Sequence, residues 1–255
     1  MNSKKIEFPG SQGVKLSARI DEPDNGITKG AVLFAHCFTC SKNLRAVGHI
    51  SRTLTEHGMG VFRFDFTGLG ESEGDFADTN FSSNIDDLQA AAKYMEQEWT
   101  GPRMLIGHSL GGAAVLQAAH HITSAEAVAT IGAPCNPEHV THHLMDKMDE
   151  IEQKGEARVK LAGRVFTIKK QFLDDLKEQA MNKVIENLDK PLLIFHSPID
   201  QTVGIDNAAH IYKLAKHPKS FISLDDADHL LTNEDDAQYV GSVTAAWVDR
   251  YLYNI

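Results

Sequence analysis

The strongest constraint on this chain is the stretch MLIGHSLGGAAVL, Met104 to Leu116. A short apolar run leads into Gly107-His108-Ser109-Leu110-Gly111, and small residues (Gly112, Ala113, Ala114) follow at once. An apolar run of this length bounded by glycine predicts a strand buried on both faces, the kind found in parallel sheets covered by helices. The G-x-S-x-G that follows predicts a tight strand-to-helix turn. A serine at that turn adopts strained backbone angles, so its neighbours must be small, and glycines flank it on both sides. The bland alternative is a serine N-cap on an ordinary turn. The downstream residues described below weigh against it.

The rest of the chain keeps the same rhythm. Ile6–Phe8 and Val14–Ile20 predict two opening strands in a hairpin-like edge. Ala31–Ala35 (AVLFA) predicts a buried strand, 44–57 a helix, and Gly60–Phe64 a further strand. Phe81–Trp99 predicts a helix capped by Ser83, with Ile85, Leu88, Ala92, Met95 and Trp99 on one face. Ala127–Ile131 predicts the next strand. The rhythm then breaks. Residues 134–189 carry a charged helix at about 137–154, a hairpin around Ala162-Gly163 and a second charged helix at about 170–187. This is too long for a plain connection, so the expected organisation is a core of 1–133 and 190–255 with an inserted cap at 134–189. The core resumes with strand Pro191–Phe195, helix 206–216, strand Ser220–Leu224 and a last helix with Val240, Val243, Trp247 and Tyr251 on its apolar side.

A nucleophilic serine needs a neutral histidine to take its proton, and that histidine needs a carboxylate to set its tautomer. For a serine on such a turn the chain order is serine, acid, histidine. Asp200 follows the run PLLIFHSPI, and His229 follows the strand that begins at Ser220, so both lie just past carboxyl ends of strands. Asp225, Asp226 and Asp228 are close to His229 along the same loop, too close to orient its ring. The amide of Leu110, at a helix N-terminus, is one expected donor to a substrate oxyanion. The backbone N–H of Phe38, in the His36-Cys37-Phe38-Thr39-Cys40 loop after AVLFA, is the other. Two such donors are each worth about 3 kcal/mol to the transition state.

Other features weigh less. Cys37 and Cys40 form a C-x-x-C, read here as two small, partly buried thiols in preference to a redox pair. The histidines at 120, 121, 139, 142 and 143 are read as surface or cap residues, and no metal site is expected. The glycine-rich loop Asp65–Asp75 lacks the G-x-x-x-x-G-K-[ST] pattern of a phosphate cradle and is expected to pack beside the nucleophile turn. A net charge of -10 argues against nucleic acid or an anionic membrane as partner. The N-terminus has two lysines but no apolar stretch behind them, no run of 18 apolar residues exists, and cysteine is scarce. A cytoplasmic location is therefore expected.

Ser109, Asp200 and His229 with their surrounding motifs resemble the α/β-hydrolase superfamily over essentially the whole chain. HCFTCSKNL, FRFDFTGLGESEGDF and IGHSLGGAAVL resemble more specifically the hydrolase domain of bifunctional proteins that join an α/β-hydrolase to an OsmC-like domain. FDFTGLGESEG also resembles the matching loop of cinnamoyl and feruloyl esterases, which carry a small cap with a hairpin where residues 134–189 lie. Cys37 stands where the usual loop has glycine. The chain ends at Ile255, so it is expected to be a stand-alone relative or a fragment of such a fusion. The resemblance implies an α/β-hydrolase fold and a serine carboxylesterase without a cofactor, and the short cap points to small or aromatic acyl esters. A small-molecule ester is the expected partner, with a homodimer as the one assembly considered. Thioesterase, amidase, peptidase or acyltransferase chemistry would use the same residues. A non-catalytic binding module is the reading from a different class.

Overall fold

The computed structural model describes residues 1–37, 39–161 and 163–252, apart from the side chain of His143. Eight strands form one sheet. In chain order they are β1 (Asn2–Pro9), β2 (Lys15–Glu22), β3 (Gly30–Ala35), β4 (Met59–Phe64), β5 (Pro102–His108), β6 (Ala127–Ile131), β9 (Leu192–His196) and β10 (Lys219–Ser223). Across the sheet the order is β1-β2-β4-β3-β5-β6-β9-β10. β1, β2 and β4 pair antiparallel, and every pairing from β4 to β10 is parallel. The expected opening hairpin and mostly parallel sheet are both present.

The central strands have no wet face. Val32 and Phe34 of β3 point to one side, where they meet helices α1 (Arg45–Glu56) and α8 (Glu234–Leu252). Leu33 points to the other side, where it shares a core with α2 (Phe81–Glu98), α3 (Leu110–Ala118) and α7 (Asp206–Leu214). This is the period-2 alternation of a strand read out into two separate apolar layers. It explains why AVLFA has no polar position.

Three local expectations need correction. Ser83 does not cap α2. The helix starts two residues earlier, and Asn80 is the cap: its Oδ1 accepts from Ser83 N at 2.8 Å while Ser83 Oγ accepts from Asn80 N at 2.9 Å. Ser83 is the reciprocal member of a capping box. The expected helix at 170–187 is two helices, α5 (Lys170–Glu178) and α6 (Met181–Glu186). At the break the Gln179 side chain donates to the Asp175 carbonyl at 2.9 Å, while the Gln179 N–H turns to Leu176. A continuing helix would have spent that backbone N–H on Asp175.

Between β6 and β9 the chain also makes a 3₁₀ stretch, Pro137–Lys147, then α4 (Met148–Lys154) and the hairpin β7 (Glu156–Leu161) with β8 (Arg164–Lys169). The sequence predicts a single helix over about 137–154, where the chain makes a 3₁₀ stretch and a short α-helix. β7 alternates exposed and buried residues, so it presents Ala157, Val159 and Leu161 inward and charge outward. Among the described residues no helix is long and apolar enough to cross a membrane.

α1 and α8 approach closely where α8 has Gly241. A Cβ at that position would lie 2.7 Å from Thr53 Cβ and 3.3 Å from the Ile50 carbonyl oxygen. We expect Gly241→Ala to cost about 1–3 kcal/mol through overpacking, lowering Tm by several degrees in a thermal melt. A melt unchanged within one degree would show that the helices can separate freely.

Candidate active site

Ser109 lies between β5 and α3 with φ 55° and ψ -125°. That conformation is costly for a residue with a side chain. The turn is held because Ser109 N donates to the Ile131 carbonyl at 2.8 Å and Gly112 N donates to the Ser109 carbonyl at 2.8 Å. The flanking glycines are there for space. A Cβ on Gly107 would overlap the backbone of Gly111, and one on Gly111 would overlap the carbonyls of Ala35 and His36. A Cβ on Gly112 would strike Ala133. The start of α3 is therefore pressed against the carboxyl ends of β3, β5 and the segment after β6.

Asp200 and His229 arrive from loops beyond β9 and β10. His229 Nδ1 is 2.7 Å from Asp200 Oδ2, and His229 Nε2 is 3.0 Å from Ser109 Oγ. The second oxygen of Asp200 accepts from the amides of Thr202 at 2.8 Å and Val203 at 2.9 Å. Burial pushes the Asp200 carboxyl up, but the His229 bond, those two amides and the His229 charge outweigh it and hold it below the usual carboxylate range. Gly132 passes close by: a Cβ there would stand 3.3 Å from both Asp200 Oδ2 and His229 Nδ1. Asp228, the nearest rival carboxylate in sequence, is occupied by the backbone N–H and hydroxyl of Thr232.

His108, beside the serine, is buried, and its ring stands 5.1 Å from the ring of His229. Its Nε2 lies 2.7 Å from the main-chain carbonyl oxygen of His229. Burial, helped by the neighbouring His229 charge, holds its pKa at about 3, so the ring is neutral and Nε2–H donates. His36 and His196 are likewise pushed down by burial.

The loop after β3 is held by charge. Lys42 is fully buried, and its Nζ contacts Asp65 Oδ2 at 2.5 Å and Glu71 Oε2 at 2.6 Å. Its backbone N–H donates to Asp65 Oδ1 at 2.6 Å, and its carbonyl accepts from Arg63 Nη1 at 2.5 Å. Arg63 in turn pairs with buried Asp21 at 2.6 Å. The hydrogen bond from Lys42 draws the Glu71 pKa down to about 2. The loop Asp65–Asp75 is thereby tied to the loop that begins at His36, and its Phe66 and Leu69 line a small cleft together with Leu110.

Phe38, expected to offer the second amide, lies outside the described residues. Its neighbours are described and need a correction. Cys37 and Cys40 are joined in a disulfide, not two separate thiols. Cys40 N donates to the Cys37 carbonyl at 3.2 Å, a turn that brings the two Cα atoms to 5.4 Å, within the range a disulfide spans.

A cavity of about 230 Å³ opens onto Ser109 and His229. Leu110, Val140, Leu161, Val203 and Leu230 supply apolar walls, with Cys37, Thr39 and Cys40 on one side. His139 also lines it, with Nε2 on the Thr202 carbonyl at 2.8 Å and its ring 4.8 Å from that of His142. The sequence places His139 only among surface or cap residues and marks no role for Val140, Leu161 or Lys42. Among the described residues no group of three His, Cys, Asp or Glu side chains could hold a metal ion.

The profile of the serine aminopeptidase S33 family (Hydrolase_4) matches residues 26–168, more than half of the chain. The chain is an α/β-hydrolase of this family. It is a serine hydrolase. An esterase domain from a Rhodothermus marinus protein is 49% identical, with 99% of this chain and 100% of that chain covered and a TM-score of 0.81. Est1E from Butyrivibrio proteoclasticus, solved with ferulic acid bound, shares the fold at a TM-score of 0.79 and 20% identity, over 96% of this chain and 98% of its own. The protein YfhR of Escherichia coli (strain K12) is 23% identical over 90% of this chain and 74% of its own length.

Removing one partner of a buried ion pair strands the other charge, at about 3–5 kcal/mol. Lys42→Met should therefore lower unfolding stability by about that much in urea denaturation. A loss below about 1 kcal/mol would mean that Asp65 is neutral or re-solvated once Lys42 is gone.

Proposed function

We propose that this hydrolase is a carboxylesterase in which Ser109 is the nucleophile, His229 the general base and Asp200 the carboxylate that orients it. The observation that carries the reading is the continuous relay from Asp200 Oδ2 through His229 to Ser109 Oγ, at 2.7 and 3.0 Å. Asp200 accepts from Nδ1–H and so leaves Nε2 unprotonated toward the serine. Ser109 attacks the ester carbonyl as its proton passes to Nε2. The Asp200 carboxylate stabilises the imidazolium formed. The tetrahedral oxyanion is met by the amide of Leu110, at the N-terminus of α3, and by that of Phe38. Nε2–H then protonates the leaving alcohol, and water repeats the sequence on the acyl-enzyme. No cofactor enters any step.

The cavity favours a small neutral acyl group. At about 230 Å³ it lies below the ~300–1,000 Å³ of pockets that hold drug-sized ligands. Its described walls are apolar side chains, a disulfide, hydroxyls and imidazoles. An aminopeptidase subsite needs a carboxylate to pair with the substrate ammonium, and the described walls offer none, so esters are favoured over aminoacyl amides. The run 134–189 supplies His139, Val140 and Leu161 to these walls and acts in this reading as the cap. The fold shared with Est1E, which binds ferulic acid, puts hydroxycinnamate esters beside short aliphatic esters in the first substrate panel.

Ser109→Ala should lower kcat on an activated short ester by about 10⁴-fold or more and abolish labelling by a fluorophosphonate. Wild-type protein that hydrolyses the ester but labels elsewhere would remove Ser109 from the role.

The acid limb of the pH profile follows from the charges. Asp200 is held below the usual carboxylate range and His108 at about 3, so neither changes charge between pH 5 and 8. Asp200 and His108 should therefore add no step to the activity profile in that range. His108→Gln should leave the shape of the profile unchanged, and a changed shape would show that His108 does titrate there.

A further inference from the structure

We infer that His108 is a positioning residue for the base: its Nε2–H clamps the main chain of His229 to the same turn that carries the nucleophile. The inference rests on His229 being the base.

The loop that carries His229 is shaped by bonds of its own. Ala227 N donates to the Leu224 carbonyl at 2.8 Å, Leu231 N to the Asp228 carbonyl at 3.1 Å, and Thr232 N to Asp228 Oδ1 at 2.9 Å. These bonds curl the loop but do not set its distance from Ser109. Three bonds described for His229 cross to distant parts of the chain. Two leave the ring, for Asp200 and Ser109, and the third joins its carbonyl to His108 Nε2 at 2.7 Å. The ring bonds are weakened or remade during turnover, since the proton on Nε2 comes and goes. The carbonyl bond involves no migrating proton and persists through the cycle. His108 and Ser109 are consecutive residues on one strained turn, so any drift of the turn carries clamp and nucleophile together and preserves the approach of Oγ to Nε2. The clamped peptide also leads directly into Leu230, a wall of the cavity.

The test compares two amides of different reach. In His108→Gln, Nε2 can take the place of the imidazole Nε2, and in His108→Asn the shorter side chain falls short. A misplaced base costs on the order of 10²-fold. His108→Asn should therefore lose about that factor in kcat, with KM within two-fold, and react correspondingly slowly with a fluorophosphonate. His108→Gln should stay within about five-fold of wild type, the remaining loss reflecting imperfect amide geometry. The low-field Nδ1–H resonance of His229 should be sharp in wild type and His108→Gln and exchange-broadened in His108→Asn. Near-UV circular dichroism confirms folding. Equal losses in two folded variants would overturn the clamp, as would a folded His108→Asn with wild-type kcat. If His108→Asn does not fold, a folded His108→Gln with a loss of 10²-fold or more overturns it, and near-wild-type kcat supports it. Failure of wild type to label at Ser109 would instead overturn the reading of the triad on which the clamp rests.

Discussion

The close approach of α3 to the strand ends is the constraint from which the site follows. Ser109 holds a left-handed backbone because Gly107, Gly111 and Gly112 let the helix start against backbone atoms of β3, β5 and the segment after β6. Any side chain at those three positions would push the helix outward and relax the turn. Relaxation would lower strain at Ser109 yet withdraw its hydroxyl from His229, since the 3.0 Å separation depends on where the turn stands. The strain is supported by two buried layers, one on each face of the sheet, which fix the strands that the turn is built upon.

Three imidazoles near Ser109 are kept uncharged by burial. His36, His108 and His196 lie in the same region and are all pushed down by burial, so they remain neutral donors or acceptors. The buried carboxylate Asp200 is held ionised by His229 and two amides. In the proposed mechanism, a cation formed at His229 meets the Asp200 carboxylate in contact and no cation among these three rings. The second concentration of buried charge, Lys42 with Asp65 and Arg63 with Asp21, does a different job. It joins the loop after β3 to the loop after β4, so the wall that faces Ser109 from that side is fixed by ion pairs as well as by the disulfide.

What could be read from the sequence was set by locality. Buried strands announce themselves as apolar runs, and the carboxyl ends of two of them locate Ser109 and Asp200 without knowledge of any contact, whereas His229 follows β10, an edge strand that is only partly buried. The structure brings those three together at hydrogen-bond distance. Features that need a distant partner stayed hidden. Lys42 looks like an ordinary surface lysine until Asp65, 23 residues on, is known to neutralise it. His108 is merely the variable position of its motif until the carbonyl 121 residues away is placed over it. The Cys37–Cys40 bond was misread as two thiols because scarcity of cysteine was used as a guide to its state, and scarcity says nothing of a turn that sets two Cα atoms 5.4 Å apart. Ser83 for Asn80 was an error of one helical turn, between two residues that hydrogen-bond each other.

Chemistry and selectivity lie on parts of the chain with different mechanical support. Ser109 follows β5 directly, and Asp200 and His229 lie in the loops beyond β9 and β10, strands whose sheet positions are held by continuous ladders. Val140, Leu161 and His139 come from the run between β6 and β9, where a 3₁₀ stretch and a two-stranded hairpin replace sheet and long helix. A 3₁₀ stretch makes poorer hydrogen bonds than an α-helix, and a lone hairpin has marginal stability of its own. Apolar contacts hold this run, with Val140, Leu144, Ile151, Val159 and Phe166 all buried in the same layer as α2 and α3, and His139 is held by its bond to the Thr202 carbonyl. Substitutions among them can reshape the cavity without disturbing the sheet that aligns the relay. Under the proposed function, such substitutions would change the acyl group accepted while the spacing of Ser109, His229 and Asp200 stays as it is.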